Sequence, residues 1–280
     1  MTIMRRKMFI LETVRTIWYM LYAEAWLRYS VFSRNKHMVA VMLFWPYLVV
    51  AVILVLGTGY GSVDAFQEAM GVADAAFFLF AASAVALSTV NVVEQTASSM
   101  LWARWLGTLP YIAMAVPSIG VHAAVSGIVA SLTSTLASFA AIAPAIAVLR
   151  GPQGLATLIV LFIVSLAGMA VLAALGSLAA VASTVLRLES NVLAFITPVI
   201  LLLSGAFYPV EILPPILEAL SSAVPSFYAV EAARLAASFE AMASMYRLAY
   251  ALAALGLLYW GGWMLVGGLL ERRARLEGAV

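Results

Sequence analysis

Two histidines, two lysines (Lys7 and Lys36) and no cysteine are the stock from which this chain could build metal, phosphate or nucleophilic chemistry. His37 lies at the edge of an apolar stretch. His122 lies inside one, with no second histidine or carboxylate at ligand spacing. A zinc-hydrolase H-E-x-x-H, a G-x-S-x-G nucleophile elbow and a G-x-x-x-x-G-K-[ST] phosphate loop are all absent. The lysines do not follow glycine, so the chain has no P-loop with which to hydrolyse ATP. No catalytic residue, no metal ligand set and no thiolate redox site is expected. His122 reads as a satisfied interior histidine.

What polar chemistry remains is mild. Ser83, Ser88, Thr89 and Asn91 interrupt one apolar stretch, and Thr197 and Ser204 another. They are candidates for lining a path for a greasy or amphiphilic cargo, and equally for hydrogen bonds between helices, worth ~0.6 kcal/mol on average. Ion-coupled carriers and selective channels keep a charged ligand at mid-membrane. No apolar stretch here has one near its centre; Asp74 and Glu94 only bracket theirs.

The elements that must position these residues follow from composition. Of 280 residues, 65% are hydrophobic and 10% charged, with mean hydropathy +1.06 and net charge +2. Soluble domains carry roughly 45–50% and about 25%. That excludes a cytosolic enzyme, a nucleic-acid binder and a disordered chain. Charge-free runs separate Lys36 from Asp64, Asp74 from Glu94, Arg104 from Arg150, Arg150 from Arg187, Glu189 from Glu211, and Arg247 from Glu271. Each is near or above the ~20 residues a helix needs to cross the hydrocarbon layer. None alternates with period 2, so all are expected to be helices. Pro110 and Pro117 leave room for one span after Pro117. The reading is six spans, near 39–60, 74–93, 115–140, 156–183, 191–208 and 247–269. Gly168, Ala173, Gly176 and Ser177 put small residues along the fourth, for close helix approach. Gly57 and Gly61 form a GxxxG that reads as a span terminus.

Six spans put both termini on one side, with twelve of the fifteen Lys and Arg; only Arg150, Arg234 and Arg247 fall opposite. Both termini are therefore expected in the cytoplasm of a multi-pass cell-membrane protein. Residues 1–37 read as an N-terminal interface helix rather than a signal peptide. Over 8–32, Ile10, Val14, Ile17, Leu21 and Ala25 share a face, with Trp18 and Trp26 nearby and Glu24 and Arg28 paired at i,i+4. It suits the membrane surface or a cytoplasmic partner. A transmembrane domain over 38–272 and a cytoplasmic tail, 273–280, follow. Residues 209–246 are too apolar for a solvated loop, and Pro209, Pro214, Pro215 and Pro225 break them up. They read as a short helical hairpin (209–240) dipping into the outer leaflet, at the mouth of a transport path.

The run Ser204-Gly205-Ala206-Phe207-Tyr208-Pro209-Val210-Glu211-Ile212-Leu213-Pro214, then Pro225 and Tyr228-Ala229-Val230-Glu231-Ala232-Ala233-Arg234, resembles the C-terminal signature of type-2 ABC exporter permeases. Arg104-Trp105-Leu106-Gly107-Thr108-Leu109, with Pro117 beyond, is similar to that family's "R..GTL.....P" run; Pro110 departs from it. The resemblance covers nearly the whole chain and is strongest over 204–234. It implies six helices, an N-terminal interface helix and a cytoplasmic coupling segment, here 94–109. It implies a pathway formed with a second permease copy or a related chain, and two separate ATP-binding subunits that hold ATP and Mg. Glu94, Arg104 and Gly107 would couple to them. Ser204, Gly205, Phe207, Pro209, Leu213, Pro214, Pro225, Tyr228 and Arg234 would shape the outer gate. The cargo implied is a drug, lipid or glycolipid, or alternatively a polysaccharide. A polytopic membrane enzyme would need a buried polar constellation, for which the chain offers His122 and scattered serines.

Overall fold

The computed structural model describes residues 2–57, 63–186, 195–238 and 243–276. Among these residues there are helices and turns and no strand. Helix α1 is Thr2–Arg34, α2 Lys36–Gly57, α3 Val63–Met70, α4 Ala75–Trp105, α5 Leu109–Ala115 and α6 Ile119–Val185. After the gap come α7 Ile196–Leu203, a 3-10 turn Val210–Ile212, α8 Pro215–Ser221, α9 Pro225–Ala237 and α10 Ala243–Gly262. A π turn, Trp263–Gly267, then leads into α11, Gly268–Leu276. Among the described residues, three helical stretches are long and apolar enough to cross a membrane: Ala75–Trp105, Ile119–Val185 and Met245–Arg275. A shorter apolar stretch, Val39–Leu48, lies in α2. Their length and apolarity mark a membrane-embedded helical protein.

The 67-residue α6 is not one rod. Gly151 sits at φ 60°, ψ −150°, followed by Pro152, and the chain folds back there. The limbs 119–150 and 152–185 run antiparallel: Gly154 lies against Ile146, Phe139 stacks edge-on to Phe162, and Thr135 reaches Met169. The third and fourth expected spans fall on these limbs. A connection of many residues was expected around Arg150; the helix instead runs to Arg150 and restarts at Pro152, where proline is tolerated in a first turn.

α4 is wedged between the two limbs. It runs against the first, Asp74 meeting Arg150 and Thr96 meeting Gly127. It runs along the second, where Thr89 meets Gly168, Thr96 meets Gly176 and Arg104 meets Ser183. A Cβ added at Gly127 would stand 1.8 Å from the Thr96 hydroxyl, so only hydrogen fits there. Ala173 and Ser177 are buried on the same seam. α4 is thus the centre of the bundle, with 78% of its apolar window buried; the last helix has 11% and is peripheral.

α1 is helical as expected, and its covered face is mixed. Of the expected apolar face Ile17 and Leu21 are partly covered and Val14 and Ala25 exposed, while Met20 is buried and Glu24 and Arg28 are partly covered. Trp18, Tyr22, Trp26 and Tyr29 form the exposed stripe. α1 packs onto α6 and leaves aromatics, which favour the membrane interface, outside. Glu24 and Arg28 do not satisfy each other: Glu24 Oε2 and Arg28 Nε are both buried without a hydrogen-bond partner. Gly61, Arg187, residues 191–194 of the expected fifth span, 239–240 of the expected hairpin and 277–280 of the tail lie outside the described residues.

Candidate functional site

The segment after α7 is built from a sequence of small constraints. Ser204 caps α7: its hydroxyl donates to the Leu201 carbonyl (2.7 Å) and accepts from Ala206 N–H (3.4 Å). Gly205 follows at φ 73°, a left-handed position, with Val210 Cγ1 only 3.0 Å from where a Cβ would stand. Tyr208 folds back to donate to the Leu202 carbonyl at 2.7 Å. Pro209 is extended and opens the 3-10 turn. Pro214 is extended before α8, and Pro225 occupies the first turn of α9. Phe207 and Leu213 pack, half-buried, onto the two main core clusters. Tyr228 donates to the Ser222 carbonyl, tying α9 back to the end of α8.

α9 runs from the interior of the bundle to its end. Val224, just before it, shares a core cluster with Val90, Met169 and Leu172. Ala229, Ala232 and Ala233 are fully buried against α4 and α6. At the far end Arg150 donates to the carbonyls of Ala236 (2.7 Å) and Ala237 (3.2 Å) and pairs with Asp74 (2.8 Å), its guanidinium 3.8 Å over the Phe77 ring. Asp74 also caps α4, accepting from Phe77 N–H. One arginine thus closes three elements together. Arg234 forks onto Glu231 at 2.8 and 2.9 Å, with Glu211 3.9 Å away. Beneath lies a cavity of about 20 Å³ bounded by Ser204, Gly205, Glu211 and Arg234, room for about one water.

The expected pathway residues divide. Ser83 and Thr89 are buried and donate to carbonyls of their own helix; Ser88 is buried with its hydroxyl unpartnered. Asn91 is partly exposed, and with Glu94, Gln95 and Ser98 it forms a polar strip on the uncovered side of α4. Thr197, on α7, donates to Glu94 Oε2 at 3.4 Å and joins the strip. Phe195, Val199 and Leu202 are the exposed apolar residues of that neighbourhood. The sequence placed Glu94 at a span edge, in the coupling segment. α4 in fact continues unbroken through Trp105, so Glu94 stands roughly three turns inside the helix.

The other expected coupling residues lie at the end of α4. Gly107 N–H bonds the Arg104 carbonyl and Thr108 N–H the Ala103 carbonyl, the paired bonds of a Schellman turn, with Gly107 at φ 69°. Pro110 then falls in the first turn of α5, where proline is tolerated. Arg104 reaches the Ser183 carbonyl at 3.5 Å, and Trp102 and Trp105 stack edge-on beside it, exposed. Nearby, Glu271 accepts from Ile119 N–H (2.7 Å) and from Ser118 (2.9 Å), and Arg275 joins it to the carbonyls of Ala113, Val116 and Pro117.

Sequence reasoning missed Arg150 and Glu271. A lone charge between two very long apolar runs, followed by Gly-Pro, was the available signal for Arg150. Glu271 carried none. Among the described residues no group of His, Asp and Glu stands close enough to hold a metal ion. No family model and no curated protein matches this sequence.

Proposed function

We propose that this chain is the transmembrane permease subunit of an ATP-driven exporter of the type-2 ABC kind. It would move an amphiphilic or hydrophobic cargo out of the cytoplasm or inner leaflet. In this reading the chain crosses the cell membrane six times with both termini cytoplasmic. α8 and α9 form an outer re-entrant hairpin, and a second copy or a related chain completes the path. Two ATP-binding subunits supply ATP, Mg and the power stroke at the end marked by Arg104, Gly107 and α1.

The observation that carries the reading is the polar strip Asn91–Glu94–Gln95–Ser98 with Thr197. It lies uncovered on the most buried helix of an otherwise apolar bundle. The strip starts at Asn91, about a turn inside the level of Glu94, where an amide facing hydrocarbon is costly and one facing a watered path between two copies is hydrated. The run of α9 from Val224 in the core to Ala237 at the bundle's end supports the hairpin. The tie between Arg104 and the second limb supports a route by which a push on the Gly107 turn reaches the helices beside the path.

The test uses the absence of native cysteine. Val199→Cys and Asn91→Cys should cross-link two copies in membranes, and Tyr250→Cys, exposed on the peripheral α10, should not. Co-expression with an ATP-binding subunit should give a complex whose cargo-stimulated ATP hydrolysis is lost in Arg104→Glu. Transport by the chain with no nucleotide-hydrolysing companion would overturn the proposal.

A further inference from the structure

Glu94 is the sole charged residue between Asp74 and Arg104. Its one described hydrogen bond, from Thr197 at 3.4 Å, is long and leaves most of the carboxylate's acceptor capacity free. α7 carries no charge of either sign, and neither limb of α6 has a Lys or Arg except Arg150, at the opposite end and bound to Asp74. Among the described residues of α4, α7 and the strip, Glu94 is therefore the charge nearest to it.

Its depth gives that charge a use. From Asp74 to Glu94 the helix rises about 30 Å, the thickness of the hydrocarbon layer. With the Asp74–Arg150 pair at one boundary, Glu94 stands at the other, at head-group level. Beside it are Leu87, partly exposed on α4, and Phe195, Val199 and Leu202, exposed around α7. An anionic group at head-group depth next to an apolar wall complements a molecule with a cationic head and an apolar body. An anionic amphiphile of the same shape would bring like charges together.

We infer that Glu94 and the apolar residues around it recognise lipophilic monovalent cations, which enter the path from the leaflet at that boundary. This rests on the strip being the transport path. It narrows the cargo from amphiphiles in general to cationic ones.

The probes are tetraphenylphosphonium and tetraphenylborate, near-isosteric ions of opposite charge. Their binding to the full chain is measured by equilibrium dialysis in nanodiscs of zwitterionic lipid, against empty discs. The cation should bind the wild-type chain at least about tenfold more tightly than the anion, after subtraction of lipid partitioning. The near-isosteric Glu94→Gln should abolish that preference, and Glu94→Lys should reverse it. Equal binding of the two ions, or an undiminished preference in Glu94→Gln, overturns the inference. The readout needs no nucleotide, so it separates the two readings. A Glu94-dependent cation preference in a chain with no ATP-binding companion keeps this site and removes the exporter. A coupled complex indifferent to charge keeps the exporter and removes this site.

Discussion

The two ends of the helical bundle are both polar, and they differ in how fully their polar groups are satisfied. At the Arg150 end the described buried cluster is complete: Asp74 holds the guanidinium and caps α4, and the remaining guanidinium nitrogens close the last turn of α9. At the opposite end one cluster is equally complete, Glu271 with Ser118, Ile119 and Arg275. Around it, however, Glu24 Oε2, Arg28 Nε, His122 Nδ1 and Trp263 Nε1 are buried without partners. Satisfied buried networks fix one arrangement; unsatisfied ones leave another within reach. The comparison makes the Arg150 end the fixed point and the Glu24–His122 end the place where a second conformation costs least. That is also where an ATP-driven partner is proposed to push.

The largest expected effect comes from breaking the fixed end. Arg150→Ala strands the Asp74 carboxylate and two carbonyls in a closed site. Its cost is about 3 kcal/mol, at the low end for a buried pair because the Asp74 side chain is one-quarter exposed. Thermal unfolding in detergent should fall accordingly, and proteolysis should open the α9 region first. If the midpoint is unchanged, this end is not the clamp described. Glu271→Gln comes next. It keeps a hydrogen-bond acceptor for Ile119 N–H and loses the charge that faces both the start of α6 and Arg275. About 1–2 kcal/mol should be lost. Since Arg275 also holds three carbonyls, Arg275→Ala should loosen α5 as well, seen as faster hydrogen exchange over 109–117.

How much of this was legible follows from what each signal depends on. The apolar helices were readable because lipid penalises charge residue by residue, so Lys36, Asp74, Arg104 and Arg247 mark boundaries within one chain segment. Small residues at 168 and 176 were readable as contact points, but their partners, Thr89 and Thr96, were not, because register between helices is a property of two segments. The same holds for Arg150 and Glu271, whose partners lie far along the chain. The continuation of α4 past Glu94 was hidden for a different reason: a charge marks where an apolar run stops, not where a helix stops, and α4 runs on to Trp105. In α1 periodicity separates polar from apolar, but the covered side takes both, Glu24 and Arg28 beside Met20 and Leu21.

The smallest expected effect tests the loose end. In the double variant Glu24→Leu, His122→Leu, two partly covered groups, each with one buried polar atom lacking a hydrogen-bond partner, become apolar side chains. Removing both members of such a pair forfeits little, because the desolvation penalty they carry disappears with them. The unfolding midpoint should therefore move by less than the equivalent of about 1 kcal/mol in either direction. Coupling is the sharper readout. If these groups find partners in a second arrangement, the variant should stay folded, bind the ATP-binding subunit and lose cargo-stimulated hydrolysis. A variant that unfolds like Arg150→Ala would mean that both ends are equally closed, and the asymmetry on which the direction of the push depends would be gone.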